Sequence, residues 1–183
     1  MKRTFVQRLV GAAMLNAETY EEIEADRTAT GQALAVVLLS AVAAGIGARG
    51  LAGVSATVGF VANASVIAVL TWAAWAVVTC GIGSRLLPTR DTRTDPGELL
   101  RTLGFAATPG LIQVFGVVPG AMVPVFALAT VWALVASVVA VRQALDYTST
   151  ARAIAVCALG LGLSFTVAAV LGLAFGPTLS GSR

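Results

Sequence analysis

The chain has 183 residues and a net charge of +3, with 57% of its residues hydrophobic and 11% charged. Soluble domains carry about 25% charged residues, so this composition, with a mean hydropathy of +0.88, excludes a water-soluble globule and reads as an integral membrane protein. The basic balance comes without a basic patch interleaved with aromatics, which excludes nucleic-acid binding on sequence grounds.

Residues 1–27 precede the first long apolar run. Lys2 and Arg3 followed by apolar residues look like the start of a signal peptide, but Gln7 and Arg8 interrupt the stretch. At helical spacing Phe5, Leu9, Val10, Ala13 and Met14 share one side, while Lys2, Arg3, Gln7 and Arg8 fall largely elsewhere. That pattern predicts a short amphipathic helix lying on an anionic membrane surface. The segment "NAETYEEIEAD" follows at 16–26 and holds five of the nine acidic residues of the whole chain. Thr19 and Glu22 have the spacing of a capping box, which starts a second short helix at Thr19, and early glutamates suit the positive end of its dipole. On this helix Tyr20 and Ile23 share a side, with Glu21, Glu22 and Glu24 around them. An aromatic and an aliphatic side chain framed by carboxylates make a docking surface for a basic protein partner. The same residues also read as a solvated juxtamembrane helix paired to local arginines.

A hydrocarbon core of about 30 Å needs about 20 apolar residues in a helix. Runs of that kind occur at about 29–48, 54–82, 99–118, 121–141 and 153–175, with a short tail at 177–183. The predicted fold is therefore all-α: a polytopic bundle of five transmembrane helices over 28–176, with the amphipathic and acidic segment 1–27 in the cytoplasm. The third run is the weakest, because Arg101, Pro109 and Gln113 interrupt it; as a re-entrant loop it would weaken the charge asymmetry described next. "GVVPG" links the third and fourth runs, and Pro119-Gly120 suits a type II turn. Lys2, Arg3, Arg8, Arg27, Arg85, Arg90, Arg93, Arg101, Arg142 and Arg152 fall on one side of this topology, against Arg49 and Arg183 on the other. All the acidic residues fall with the larger set. The expected orientation in the cell membrane has the N-terminus cytoplasmic and the C-terminus outside.

The inventory of reactive groups is thin. There is no histidine, which removes the commonest general base and metal ligand. No Asp or Glu lies within a predicted span, so no intramembrane carboxylate relay can be built. "EEIEADR" at 21–27 superficially resembles the Glu-Glu-x-x-x-Arg pattern of prenyl-processing intramembrane proteases, but its arginine comes one residue late and the required histidines are missing. Cys80 and Cys157 sit in apolar settings without a basic partner and read as small buried hydrophobes. No catalytic residue, cofactor or metal site is expected. Pro109 predicts a kink in the third span, freeing the carbonyl of Phe105, which in a membrane needs another donor such as Thr108. Gly104 and Gly110 flank that kink. Asn63 in the second span and Gln113 in the third are the amides able to line a polar path in a small permease or channel-like subunit. Gly172 and Gly176, and Ser55 and Gly59, have small-x-x-x-small spacing for close helix packing.

The order of these features carries a resemblance. An amphipathic start, then "NAETYEEIEAD", then five apolar runs with "GFAATP" in the third, resembles bacterial and archaeal members of the Yip family, the Ypt/Rab-interacting membrane proteins. Gly104, Phe105 and Pro109 match the Gly-aromatic-x-x-x-Pro signature of that family, and "VRQALDYTSTARAIAV" is similar to its pattern before the last helix. The Asp-Leu-aromatic-Gly-Pro motif of eukaryotic members is missing, so their vesicle-traffic activity is not carried over. The resemblance implies a non-enzymatic five-span protein that acts through protein contacts or on membrane organisation, with membrane lipids and a protein partner at the cytoplasmic face.

Overall fold

A computed structural model gives the fold and describes residues 3–48, 58–87 and 95–175, apart from some side chains in 58–64 and beyond 163. The described residues form no strand. Two short helices come first, α1 (Phe5–Ala13) and α2 (Ala17–Ala25), followed by α3 (Ala29–Gly47) and α4 (Val58–Gly81). A π-helical turn, Ile82–Leu86, ends α4. Then come α5 (Pro96–Ala106), a 3-10 helix (Thr108–Val117), α6 (Met122–Ala144) and α7 (Thr150–Phe175). Among the described residues, Ala29–Gly47, Ser65–Leu86 and Met122–Ala144 are long and apolar enough to cross a membrane, and Thr150–Leu163 is a shorter apolar stretch. Ser55 and Gly176, Arg49 and Arg183, Arg90 and Arg93, and the side chain of Asn63 lie outside what is described.

The hairpin of α1 and α2 departs from its sequence reading in two ways. Thr4 caps α1 in a capping box with Gln7, and Asn16, not Thr19, caps α2 by accepting the Thr19 N–H at 2.9 Å. The earlier cap wins because α1 ends with Leu15 in the left-handed region at φ 59. There the Asn16 N–H reaches Gly11 O at 3.0 Å and the Leu15 N–H reaches Ala12 O at 3.1 Å, a Schellman closure that turns the chain straight into a new helix. The charged side of α1 is also not laid on a surface. Arg8 is buried, and its guanidinium donates to Asp26 at 2.7 Å, Glu22 at 2.9 Å and Gln32 at 3.0 Å. Phe5 and Leu9 pack on the bundle, Phe5 in an edge-on ring contact with Phe105 at 6.2 Å.

The third predicted span is not a kinked α-helix. Asp95 caps α5 in a capping box with Glu98, with Pro96 at the first helical position. The α-helix stops at Ala106, and Pro109 stands in the first turn of a ten-residue 3-10 helix, where its ring has no i−4 carbonyl to displace. The carbonyl of Phe105 is satisfied by Thr108 Oγ1 at 2.6 Å, as expected from the sequence. Three residues per turn put Gly110, Gln113 and Gly116 on one face. A Cβ on Gly110 would lie 3.1 Å from Ser40 Cβ, one on Gly116 3.2 Å from Gly47 O, and one on Gly47 would collide with the Gln113 carbonyl. Only small residues permit that approach, and it is what holds the segment in the tighter winding. The same glycine logic applies at Gly104, where a Cβ would come within 2.6 Å of Ala33.

These pairs run in step: Gly104 with Ala33, Ala107 with Ser40 (Oγ to O, 2.9 Å), and Gly116 with Gly47. The leg made of α5 and the 3-10 helix therefore runs parallel to α3 along most of its length. Pro119-Gly120 then reverses the chain, with Gly120 at φ +79 and the Ala121 N–H on Val118 O at 3.0 Å, the expected type II geometry. The packing core lies where α2, α3, α5 and the end of α6 meet, around Tyr20, Ile23, Val36, Leu99, Phe105 and Val141.

Candidate functional site

At the end of the bundle where α2 and α6 stop and α7 begins, a cleft of about 410 Å³ is lined by Glu21, Glu24, Arg142, Gln143, Asp146 and Tyr147, among others. Its walls follow from two local decisions. One wall is the outer side of α2, which places Glu21 and Glu24 one turn apart. The other is the reversal after α6, closed by the Tyr147 N–H on Arg142 O and the Asp146 N–H on Gln143 O, both at 2.9 Å. Asp146 takes the left-handed position of this Schellman motif at φ 51, a role usually filled by Gly or Asn. Tyr147 anchors the reversal to the end of α4: its buried hydroxyl lies 2.7 Å from Leu87 O and 3.1 Å from Gly83 O. The walls are joined by Gln143 Nε2, which donates to Glu21 Oε1 at 2.9 Å.

Behind the α2 wall, Arg101 ties α5 to the end of α2. It is buried, and its Nε and Nη2 both donate to the main-chain carbonyl of Glu24, at 3.0 and 2.5 Å. That carbonyl belongs to the last turn of α2, so a cation there also meets the negative end of the helix dipole. The Glu24 carboxyl is pushed up to about 7, by burial first and then by the charges of Glu98 and Asp146. Arg101 opposes the shift and Glu21 adds to it. Three carboxyls with one lining arginine thus leave a negative cleft with a site that exchanges its proton near neutrality. A cation entering it would favour the ionised form of Glu24.

Of the predicted docking residues, the structure keeps Glu21 and Glu24 in this cleft and removes the others. Tyr20 and Ile23 are fully buried and belong to the core where α2 packs on α5 and α6, while α1 takes the neighbouring side of α2 at Thr19, Glu22 and Asp26. Tyr20 donates its hydroxyl to Ala12 O at 3.2 Å, and burial pushes its pKa up. Glu22 is taken by Arg8 and by Arg3, whose N–H donates to it at 3.0 Å. Burial alone would raise its pKa, but these bonds outweigh that and hold it low. Arg142, Asp146 and Tyr147 were missed as site residues. Their sequence signals were the polar cluster in "RQALDY", which reads as a connection, and the likeness of "VRQALDYTSTARAIAV" to the family pattern before the last helix, which marks no residue as a site.

Of the second predicted group, the side chain of Asn63 lies outside the described residues, and the described members do not converge on one cavity. Gly104, Phe105 and Pro109 are buried in the contact of the third leg with its neighbours. Gln113 alone of these described members reaches a cavity of about 530 Å³ between the long helices, beside Val37, Ser40, Trp72 and Trp75. The hydroxyl of Ser40 and the indole N–H of Trp72 are already spent on Ala107 O and Leu100 O, which leaves the cavity mostly apolar. Among the described residues no three His, Cys, Asp or Glu side chains come together as a metal site.

The Yip1 domain, as a family profile, matches residues 13–172, nearly the whole described chain from the end of α1 into α7. No curated protein matches the chain, and no solved structure does.

Proposed function

Because the chain belongs to the Yip1 domain family, we propose that this membrane protein works without catalysis, as a scaffold or adaptor that seats a cationic side chain of a protein partner in the acidic cleft. The observation that carries the reading is the convergence of Glu21, Glu24 and Asp146 on a cleft of about 410 Å³ whose lining holds one arginine, Arg142. Tyr147 in its lining is anchored to Leu87 O, and Arg101 holds the last turn of α2 through Glu24 O, so little ordering is needed on binding. The reading keeps five spans, with the cleft in the cytoplasm and the C-terminus outside. The parallel run of the third leg beside α3 supports an in-to-out crossing for both, and the arginine excess near the cleft end supports its orientation.

The test places a photo-cross-linker at Thr148, exposed at the cleft rim, in native membranes. The chain is compared with the triple variant E21Q/E24Q/D146N, in which Asn keeps the left-handed turn. Glu22 is left alone because it belongs to the ion pairs of α1. A protein captured at low salt, lost at high salt and lost in the variant supports the reading; equal capture by both chains refutes it. The second reading, a small permease or channel-like subunit, rests on Gln113 in the cavity. Its apolar lining gives a polar solute little to bind, and solute uptake by proteoliposomes that Gln113→Leu abolishes would favour it.

A further inference from the structure

We propose that α1 and α2 form a re-entrant wedge whose outer edge, Val6, Val10 and Met14, is sunk among lipid acyl chains on the cleft side of the bundle. These three side chains follow one another at i, i+4 and i+8 on a single stripe of α1, and they are 64%, 52% and 74% exposed. The opposite side of the helix is used up by Phe5, Arg8, Leu9 and Ala12 against the bundle. A solvated helix would have the reverse arrangement, with its arginine outward and its valines inward.

The depth of the stripe is set by one hydrogen bond. Trp132 Nε1 donates to the carbonyl of Ala13, the last residue of α1, at 2.8 Å. Trp132 lies ten residues after Met122 and twelve before Ala144 in α6, which is about 15 Å from one end and about 18 Å from the other. The tip of the hairpin is therefore level with the middle of a helix long and apolar enough to cross a membrane. Around Trp132, the exposed Leu128, Val131 and Val135 of α6 continue the apolar surface of the stripe, so the same hydrocarbon covers both. The exposed Thr4 and Gln7 stand at the N-cap and in the first turn of α1, away from the tip, and Asn16, exposed at the tip, has its side-chain oxygen taken by the Thr19 N–H at 2.9 Å. Glu18, the acid closest to the tip, has its charge paired with Arg3 at 3.4 Å. The inward Arg8, bound to Glu22 and Asp26, holds α1 against α2 and keeps ionic groups off the lipid side.

The experiment uses the full chain in liposomes of phosphatidylcholine and phosphatidylglycerol, with Cys80 and Cys157 replaced by Ala. An environment-sensitive fluorophore is attached at Val6→Cys, Met14→Cys or, as an aqueous reference, Thr148→Cys. Quenching is compared for iodide in water and for nitroxides placed near the glycerol backbone or near the chain end of the lipid. The wedge predicts a blue-shifted label at 14 that iodide does not reach, quenched more by the deep nitroxide than the label at 6. That order follows because the two positions are about 12 Å apart along a descending helix. Label 148 should respond to iodide. Equal depth at 6 and 14 would mean a helix lying flat and would overturn the wedge. Iodide quenching at 14 would mean a solvated hairpin, and a label at 14 that neither quencher reaches would mean a protein cover, such as a second copy; each overturns it as well.

Discussion

Replacing Arg8 by Met is the most informative single perturbation of this molecule. The methionine fills much of the volume of the arginine stem but leaves Asp26 and Glu22 without their shared cation. In the native chain Arg8 is 2% exposed, and its guanidinium makes bonds of 2.7 Å to Asp26, 2.9 and 3.2 Å to Glu22 and 3.0 Å to Gln32. Removing one partner of a buried pair costs about 3–5 kcal/mol. The lower end applies here, because neither acid is fully stranded: Glu22 keeps Arg3, and Asp26 keeps the hydroxyl of Thr28 at 2.6 Å. For a chain of this size about 3 kcal/mol corresponds to a fall in apparent Tm of about 6–12 °C. Unfolding in detergent can be followed through a thiol-reactive dye, since Cys80 and Cys157 are both buried, and in a background with Trp72 and Trp75 replaced by Phe the emission of Trp132 reports separately on loss of the hairpin. In the triple variant R8M/E22Q/D26N no charge is left uncompensated, and most of the loss should be recovered. A chain with Arg8→Met that melts within about 1 kcal/mol of the parent by both readouts refutes the account of the ion pairs, since that is the range of an exposed bridge.

Two further expectations use the same thermal assay, and a third is read by proteolysis. Glu24 has a folded-state pKa of about 7, raised from 4.5, so its contribution is fully present below pH 4.5 and is lost as pH rises through 7; Glu24→Gln should flatten the stability profile across that window. Gly104→Ala forces a methyl to within 2.6 Å of Ala33 and should cost about 1–3 kcal/mol, whereas Gly31→Ala meets nothing within 4 Å and should gain up to about 1 kcal/mol. Trp132→Phe strands the Ala13 carbonyl, so the hairpin should loosen by about 1–3 kcal/mol, seen as earlier proteolysis within residues 3–26.

What the sequence revealed follows from the range of the forces involved. Span positions depend on runs of apolar residues and were legible to within a few residues at α3 and α6, as was the Pro119-Gly120 turn, whose chemistry is local. The 3-10 winding was not legible. A proline between apolar residues reads as a kinked α-helix, and the tighter form is decided by how closely Gly110 and Gly116 approach α3, from which α4 and α5 separate them in the chain. Tyr20 and Ile23 were ambiguous for a similar reason. Their spacing fits both a docking patch and a core face, and the packing of α2 on α5 and α6 decides between them. Asp146 was hidden because it occupies a glycine's position in the turn after α6, so the chain carries no glycine there to announce the reversal.

The winding of Thr108–Val117 also bears on bilayer thickness. Ten residues of 3-10 helix rise about 20 Å, where the same ten would rise about 15 Å as α-helix. That difference of about 5 Å is comparable to the spread in hydrocarbon thickness between thin and thick cellular membranes. Close contact of Gly110, Gln113 and Gly116 with α3 therefore does more than pack two helices. It fixes the length of this leg and, on the five-span reading proposed above, with it the thickness of membrane that the leg would match without stretching or compressing the lipid around it.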